Sequence, residues 1–164
     1  MIQLDGIDRR IVTALQAEGR LPMVDLADKV GLSPTPCQRR VKRLEDEGVI
    51  VRYAALVAPP AVGLQLQAMV QVTLDDHSEK TVEAFETAIR ARPEVVACHA
   101  MTGDMDFLLH VLATDLASFS EFAMKALLRM PGVRGSRSSF MVQTVKSDLA
   151  WAPQPPQSSA KARR

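Results

Sequence analysis

The chain has 164 residues, enough for one large domain or two small ones, since a domain commonly holds roughly 100 to 150 residues. Hydrophobic residues make up 47% of it and charged residues 24%, a composition that excludes an intrinsically disordered chain. The net charge of +1 does not by itself indicate a polyanionic partner, so the distribution of charge along the chain has to be considered.

The sequence predicts neither a secretory leader nor a membrane span. Its apolar runs stay well short of the roughly 18 residues that a spanning helix needs, and charged residues interrupt the start of the chain. We therefore expect a cytoplasmic protein whose cysteines, Cys37 and Cys98, stay reduced. The histidines, His77, His99 and His110, show no metal-ligand spacing with these cysteines. No metal, cofactor or catalytic residue is predicted.

Three helices are predicted in the first 50 residues. Apolar residues recur at helical spacing over residues 5–18 and again over residues 24–30, and a glycine follows each segment. Ser33 and Pro34 then form the pattern of an N-cap and a first helical residue. A third helix is expected to run from there to about Glu47.

The third predicted helix has two different faces. At about 100° per residue, Cys37, Val41 and Leu44 fall on one narrow apolar stripe, which predicts contact with the core. The remaining surface of this helix is basic, because four of the nine cations of residues 1–60 lie within residues 39–43. Arginine and lysine bind phosphates and guanine edges, and glutamine can bridge an adenine. The outward residues are Thr35, Gln38, Arg39, Lys42 and Arg43.

A basic helix face has two interpretations. Judged by charge alone, it is as often a solvated surface as a nucleic-acid interface. Here a tight corner precedes the basic helix, and residues 49–57 are β-branched and apolar enough to form a strand or a pair of strands as a wing. This context favours DNA binding.

The remainder of the chain predicts a ferredoxin-like unit with the order β-α-β-β-α-β. Its domain is expected to span residues 61–150, after a DNA-binding domain at residues 1–60. The tail at residues 151–164 is rich in proline and serine and ends in cations, which predicts disorder. The predicted elements are a strand at 65–74, a helix at 79–91, strands at 95–101 and 106–113, a helix that begins after Asp115, and a strand at 136–146.

The helical segment resembles that of the Lrp/AsnC transcriptional regulators. Residues 32–37, LSPTPC, and 39–45, RRVKRLE, look like their recognition helix, and residues 4–11, LDGIDRRI, resemble their first helix. The likeness continues to about Lys146. It implies an α+β fold in which an amino-terminal winged helix-turn-helix is joined to a ferredoxin-like (RAM/ACT-like) domain. The DNA-binding residues predicted on this basis are Ser33, Thr35, Gln38, Arg39, Arg40, Lys42, Arg43 and Arg52.

The same resemblance implies a partner and an assembly for the carboxy-terminal domain. In the family this domain dimerises and senses amino acids. We therefore expect homodimers that assemble into tetramers or octamers, and the sequence leaves that choice open. No membrane partner is expected.

A turn between two predicted strands of this domain is a candidate effector site. Gly103 permits a positive φ, while Asp104 and Asp106 place carboxylates at alternate positions. An isolated Gly-Asp pair is commonly only a turn. The segment is similar, however, to the Gly-Asp-x-Asp loop that borders the effector pocket between neighbouring dimers in the family. One carboxylate could pair with the ammonium of an α-amino acid, and backbone N–H groups could bind its carboxylate.

The resemblance also implies the opposite wall of this pocket. Strand alternation means that Phe140 and Met141 cannot both face a ligand, so at least one of them is expected in the core or an interface. The lining favours an effector with an apolar or sulfur-containing side chain. The predicted effector-binding residues are His99, Met101, Gly103, Asp104, Asp106, Ser139, Phe140 and Met141.

Two other classes of protein are alternatives to a DNA-binding regulator. The sirohaem decarboxylases resemble the same fold and use histidines and arginines where the regulators bind an effector. An enzyme of that kind has no need for a basic outward helix face, which argues against this alternative. A stand-alone amino-acid-binding module is disfavoured by the intact amino-terminal unit.

Overall fold

The computed structural model describes residues 3–146, which fold into two compact units. One unit contains residues 3–56, and the other comprises Val57–Val145. The predicted tail at residues 151–164 lies outside the described residues. In the part of the chain that the structure describes, no helix is long and apolar enough to cross a membrane.

Three helices form the first unit: α1 (Gly6–Ala17), α2 (Met23–Val30) and α3 (Pro34–Asp46). The three predicted helices are confirmed, with each end within one residue of its predicted position. The apolar stripe predicted for the third helix is buried, so the helical wheel correctly identified the face that packs inward. The buried core of the unit consists of Ile11, Leu26, Ala27, Val30, Cys37, Val41 and Leu44.

Two of these helices begin differently. At the start of α1, the Asp5 carboxylate accepts bonds from the N–H groups of Ile7 and Asp8, both at 2.8 Å, and the Asp8 carboxylate accepts one from the N–H of Asp5 at 3.1 Å. Ser33 occupies the N-cap of α3 as predicted, but its hydroxyl forms no capping bond. An N-cap side chain commonly bonds to the N–H of the third helical residue, and here that residue is Pro36, which has none.

Gly31 closes α2 in a left-handed conformation. Its φ is +72°, and its N–H donates to the carbonyl groups of Ala27 and Asp28. A Cβ added at this position would meet no atom within 4 Å, so only the backbone conformation opposes a side chain there. The turn into α3 therefore depends on a residue that tolerates positive φ.

Gly31→Ala is expected to lower the free energy of unfolding by about 1 kcal/mol, because alanine resists the left-handed conformation. Gly31→Asn should cost less, since asparagine adopts this conformation more readily. Urea unfolding of both variants measures the difference. Equal stability of Gly31→Ala and the wild type would show that this turn does not need its positive φ.

The prediction of a strand or a pair of strands at residues 49–57 is wrong, since none of these residues is in a strand. Val49 and Ile50 instead pack against the helical core, and both donate their N–H groups to the carbonyl of Leu44, at 2.8 and 3.0 Å. β-branched residues form a strand only where a second strand receives their backbone bonds. Within residues 3–56 the structure has no strand to do so. The wing is therefore a segment without strand structure.

The second unit has the predicted order β-α-β-β-α-β. Its sheet is antiparallel throughout, with strand order β2-β3-β1-β4. The last helix continues through a π-helical turn, Phe122–Ala126, and a 3-10 turn, Leu127–Arg129. The elements are β1 (Leu66–Leu74), α4 (Glu79–Arg90), β2 (Val95–Ala100), β3 (Phe107–Ala113), α5 (Leu116–Glu121) and β4 (Val133–Phe140).

The sheet has one covered face and one open face. Alternate residues of β1, from Ala68 to Leu74, are buried against α4 and α5, whose side chains there include Phe85 and Phe119. This confirms the period of two predicted for the strand. The intervening residues point to the other face, where they are half-buried. Among the described residues, no helix or strand of this unit covers that face.

The last strand differs from its predicted span of residues 136–146, because β4 begins at Val133 and ends at Phe140. Among the described strands, β4 pairs with β1 alone. Because β1 starts at Leu66, the last bond between the two strands is the one from the N–H of Met141 to the carbonyl of Gln67, at 2.9 Å. Residues 142–146 have no neighbouring strand to continue the sheet.

Candidate functional site

The outer face of α3 carries polar side chains that are free to bind a partner. Thr35, Gln38, Arg39 and Lys42 are exposed. Within the described residues, none of these four side chains forms a hydrogen bond or an ion pair. Their spacing of three or four residues places them along one side of the helix. Such a side can offer donors and acceptors to base edges and phosphates in a major groove.

Arg40 and Arg43, by contrast, are bound to carboxylates of the first unit. Arg40 Nη1 lies 2.7 Å from Asp5 Oδ2 and 2.8 Å from Asp8 Oδ1, and Arg43 Nη2 donates to Asp8 Oδ2. A weaker partner, Glu47 just beyond α3, lies 3.8 Å from Arg43 Nε. The N–H of Asp8, and then the guanidinium of Arg40, lower the pKa of Asp5 to about 2. Two of the predicted phosphate-binding residues therefore already have anionic partners.

The last two predicted DNA-binding residues flank α3. Ser33 is exposed, with its hydroxyl unused at the N-cap. Arg52 is exposed on the segment after the helix and forms no ion pair with any described residue. That segment is held by Tyr53, whose hydroxyl donates to Glu45 at 2.8 Å and whose pKa is raised to about 12 by burial and by that carboxylate. The sequence analysis missed Tyr53, although it is the one tyrosine of the chain.

The loop between β2 and β3 contains the predicted turn. Gly103 has φ +108°, as its place in the turn requires. Asp104 follows it and is exposed, and its carboxylate has no partner within the described residues. The loop closes where the N–H of Met101 donates to the carbonyl of Asp106 at 2.9 Å. A free carboxylate therefore stands at the tip of a short, hydrogen-bonded loop.

Asp106, the second carboxylate of this loop, is bound to the protein itself. Its Oδ2 accepts a bond from the N–H of Leu74 at 2.7 Å, and its Oδ1 lies 2.7 Å from Nε2 of His77. The bond from Leu74, and then that from His77, lower the pKa of Asp106. Its own N–H donates to the carbonyl of Val72 at 2.9 Å. Asp106 thus ties the loop to the end of β1, and the sequence analysis did not foresee His77 as its partner.

The other predicted effector residues fall into two groups. His99 and Met101 lie at the end of β2, beside the loop. Ser139 and Phe140 lie on β4, at the opposite edge of the sheet and three strand spacings, or roughly 14 Å, from β2. A single chain therefore cannot place both groups around one small ligand.

The residues on β4 also face different sides. The ring of Phe140 turns to the helices, 5.0 Å from the ring of Phe119 in an edge-on arrangement. Ser139 pairs in register with Met69 and turns to the open face. Met141 follows the end of the strand and is exposed. Of the three residues, Phe140 is the one that contacts a helix of its own unit, although it stays 46% exposed.

Comparison with known proteins matches each unit to a known kind of domain. Residues 4–51 match the winged helix-turn-helix DNA-binding domain, and residues 67–151 match the Lrp/AsnC ligand binding domain. The chain is 42% identical over 143 residues to the leucine-responsive regulatory protein of Haemophilus influenzae. The aligned region covers 87% of this chain and 86% of that protein.

Solved structures agree with this assignment. A transcriptional regulator from Neisseria meningitidis in complex with L-methionine is 41% identical, with a TM-score of 0.87 over 91% of this chain and 96% of that one. A feast or famine regulatory protein from M. tuberculosis, also complexed with L-methionine, is 32% identical, with a TM-score of 0.81 over 92% and 99% of the two chains. The chain therefore belongs to the Lrp/AsnC family of DNA-binding transcriptional regulators.

Proposed function

We propose that this regulator reads its operator through the outer face of α3 and responds to an amino acid. The observation that carries the proposal is the set of exposed, unpartnered side chains on that face. Thr35, Gln38 and Arg39 read base edges, and Lys42 holds a phosphate, with Ser33 and Arg52 on flanking phosphates. A dimer places two such helices in successive major grooves roughly 34 Å apart, so the operator is pseudo-palindromic.

A second copy of the chain covers the open face of the sheet in this proposal. That face carries the half-buried apolar side chains of Met69, Leu108 and Leu112, which no described element of their own unit covers. Two identical faces related by a two-fold axis bury each other's apolar side chains. The resulting homodimers assemble further into tetramers or octamers.

The effector is an α-amino acid with an apolar or sulfur-containing side chain. Asp104 pairs with its ammonium, and N–H groups of the same loop bind its carboxylate. Ser139 and Met141 come from another copy, because those of the same chain lie at the far edge of the sheet. The complexes of the N. meningitidis and M. tuberculosis relatives with L-methionine support this class of ligand.

We also propose that the protein acts in the cytoplasm, on DNA, without a catalytic reaction or a cofactor. A decarboxylase on the same fold is the alternative. The basic side chains that α3 leaves exposed favour the regulator, since an enzyme of that kind makes no use of them.

Gel shift and sedimentation with the DNA upstream of the protein's own gene test the proposal, with each of the twenty amino acids added in turn. We expect a shift with this DNA at salt concentrations at which random DNA is not bound, and a change in binding or in assembly size with one apolar or sulfur-containing amino acid. No binding above that of random DNA would contradict the proposal and direct attention to a tetrapyrrole assay.

A further inference from the structure

One carboxylate links the recognition helix to the first helix of the unit. Asp8 lies on α1 and is 1% exposed, and it is the only charged residue that is buried in the part of the chain described. A buried carboxylate is stable only when cations or hydrogen-bond donors satisfy it. Asp8 therefore has a definite structural task, although it lies outside the helix that contacts DNA.

The partners of Asp8 are two arginines one turn apart on α3. Its Oδ1 lies 2.8 Å from Arg40 Nη1, its Oδ2 accepts from Arg43 Nη2, and the N–H of Asp5 donates to it at 3.1 Å. Arg40 has a second carboxylate in Asp5, at 2.7 Å. The side chains of Arg40 and Arg43 remain 27% and 44% exposed, so a change in the carboxylates would leave both free to turn outward.

We propose that Asp8 is a positioning residue for DNA recognition, which orients α3 against α1 and keeps the guanidinium groups of Arg40 and Arg43 away from DNA phosphates. The inference rests on the proposed DNA contacts of α3. It leaves Arg39 and Lys42 as the cations of the helix that reach DNA. Because phosphate contacts are blind to sequence, withholding two of them lowers the affinity for operator and random DNA alike and leaves discrimination between them to the base contacts of α3.

Salt dependence distinguishes this role from a purely structural one. The slope of log affinity against log salt concentration changes by about 0.9 for each phosphate that the protein newly binds or no longer binds. A mere loss of stability lowers the amount of folded protein and leaves this slope unchanged. Fluorescence anisotropy of the full chain, with operator and random duplexes of equal length, measures both slopes.

Single arginine and lysine variants give the first test. Lys42→Gln is expected to flatten the slope by about 0.9, because Lys42 binds a phosphate. Arg43→Gln and Arg40→Gln remove the same charge but should leave the slope unchanged, since neither side chain reaches the DNA. Each variant leaves Asp8 one arginine partner, so the unit is expected to stay folded.

Asp8→Asn gives the second test. It should steepen the slope by about 0.9 for each arginine released, and raise the affinity for operator and random DNA alike about 10-fold. Asp46→Asn is the matched control, because Asp46 is an exposed carboxylate of α3 without a partner in the described residues. Its removal changes the net charge equally but releases no arginine. Circular dichroism checks that each variant is folded at the assay temperature.

The outcomes separate this inference from the proposed function. Failure of the wild-type chain to bind the operator would contradict the proposed function itself. With wild-type binding intact, a slope for Arg43→Gln as flat as that of Lys42→Gln would overturn the role of Asp8. Equal slopes for Asp8→Asn and Asp46→Asn would overturn it as well. If Asp8→Asn does not fold, the arginine variants still decide the question.

Discussion

Arg39→Glu is expected to reduce operator affinity about 100-fold or more at a salt concentration near 0.15 M. Arg39 is exposed on α3 and forms no ion pair within the described residues, so its guanidinium is available to a base edge. Loss of one such contact costs about 1–3 kcal/mol, and a glutamate at the same place adds repulsion from the phosphates. Anisotropy titrations of the wild type and the variant give the two affinities.

The control for this change is Lys80→Glu. Lys80 is exposed at the start of α4, in the other unit, and the substitution changes the net charge by the same amount. It should lower the affinity far less, because it removes no contact on the recognition helix. Arg39→Glu should unfold at the same temperature as the wild type. Unchanged operator affinity in a folded Arg39→Glu variant would show that α3 does not read the operator.

The helices of the first unit were predictable because their signals are local. Apolar spacing defined the buried stripe of α3, and glycine marked the ends of the helices. The same reasoning placed Asp115 at a helix start, where its side chain accepts a bond from the N–H of Ser118. These features depend on residues no more than four positions apart, so a short stretch of sequence is enough to predict them.

The role of Arg40 and Arg43 was not predictable in this way. A helical wheel gives the direction of a side chain but not its partner, and Asp8 lies 32 and 35 residues earlier in the chain. An acidic residue at a position of α1 that faces the core was the available signal. Buried carboxylates need cations, so the position of Asp8 could have suggested that some basic residues of α3 were already bound.

The strands show the same limit. Alternation identified β1, but it could not reveal that β2 and β4 form opposite edges of the sheet. The sequence therefore could not show that a single chain holds the two groups of predicted effector residues roughly 14 Å apart. Residues 49–57 had the composition of a strand and lacked a neighbour. Strand order and pairing are properties of the fold, and local sequence does not determine them.

Asp104→Ala is expected to weaken effector binding by about 10- to 100-fold without loss of stability. Its carboxylate is exposed and unpartnered within residues 3–146, so removing it breaks no bond of the described fold. A hydrogen bond between charged groups contributes about 1.5–3 kcal/mol, which corresponds to that loss of affinity. Titration calorimetry with the amino acid that most changes operator binding in gel shift measures the loss, and operator affinity without effector should stay at the wild-type value.

Two further variants test whether Asp104 is the carboxylate that binds the ammonium of the effector. Asp106→Ala should also lose the response, but it should in addition lower the unfolding temperature, since Asp106 holds the N–H of Leu74 and the ring of His77. Glu83→Ala removes an exposed carboxylate of α4 that has no partner in the described residues, and it should change neither property. If Asp104→Ala kept wild-type effector affinity while Asp106→Ala lost it at unchanged stability, the ammonium would belong to Asp106. Asp106 would then accept a bond from the ammonium in addition to those from Leu74 and His77, since each carboxylate oxygen can accept more than one bond.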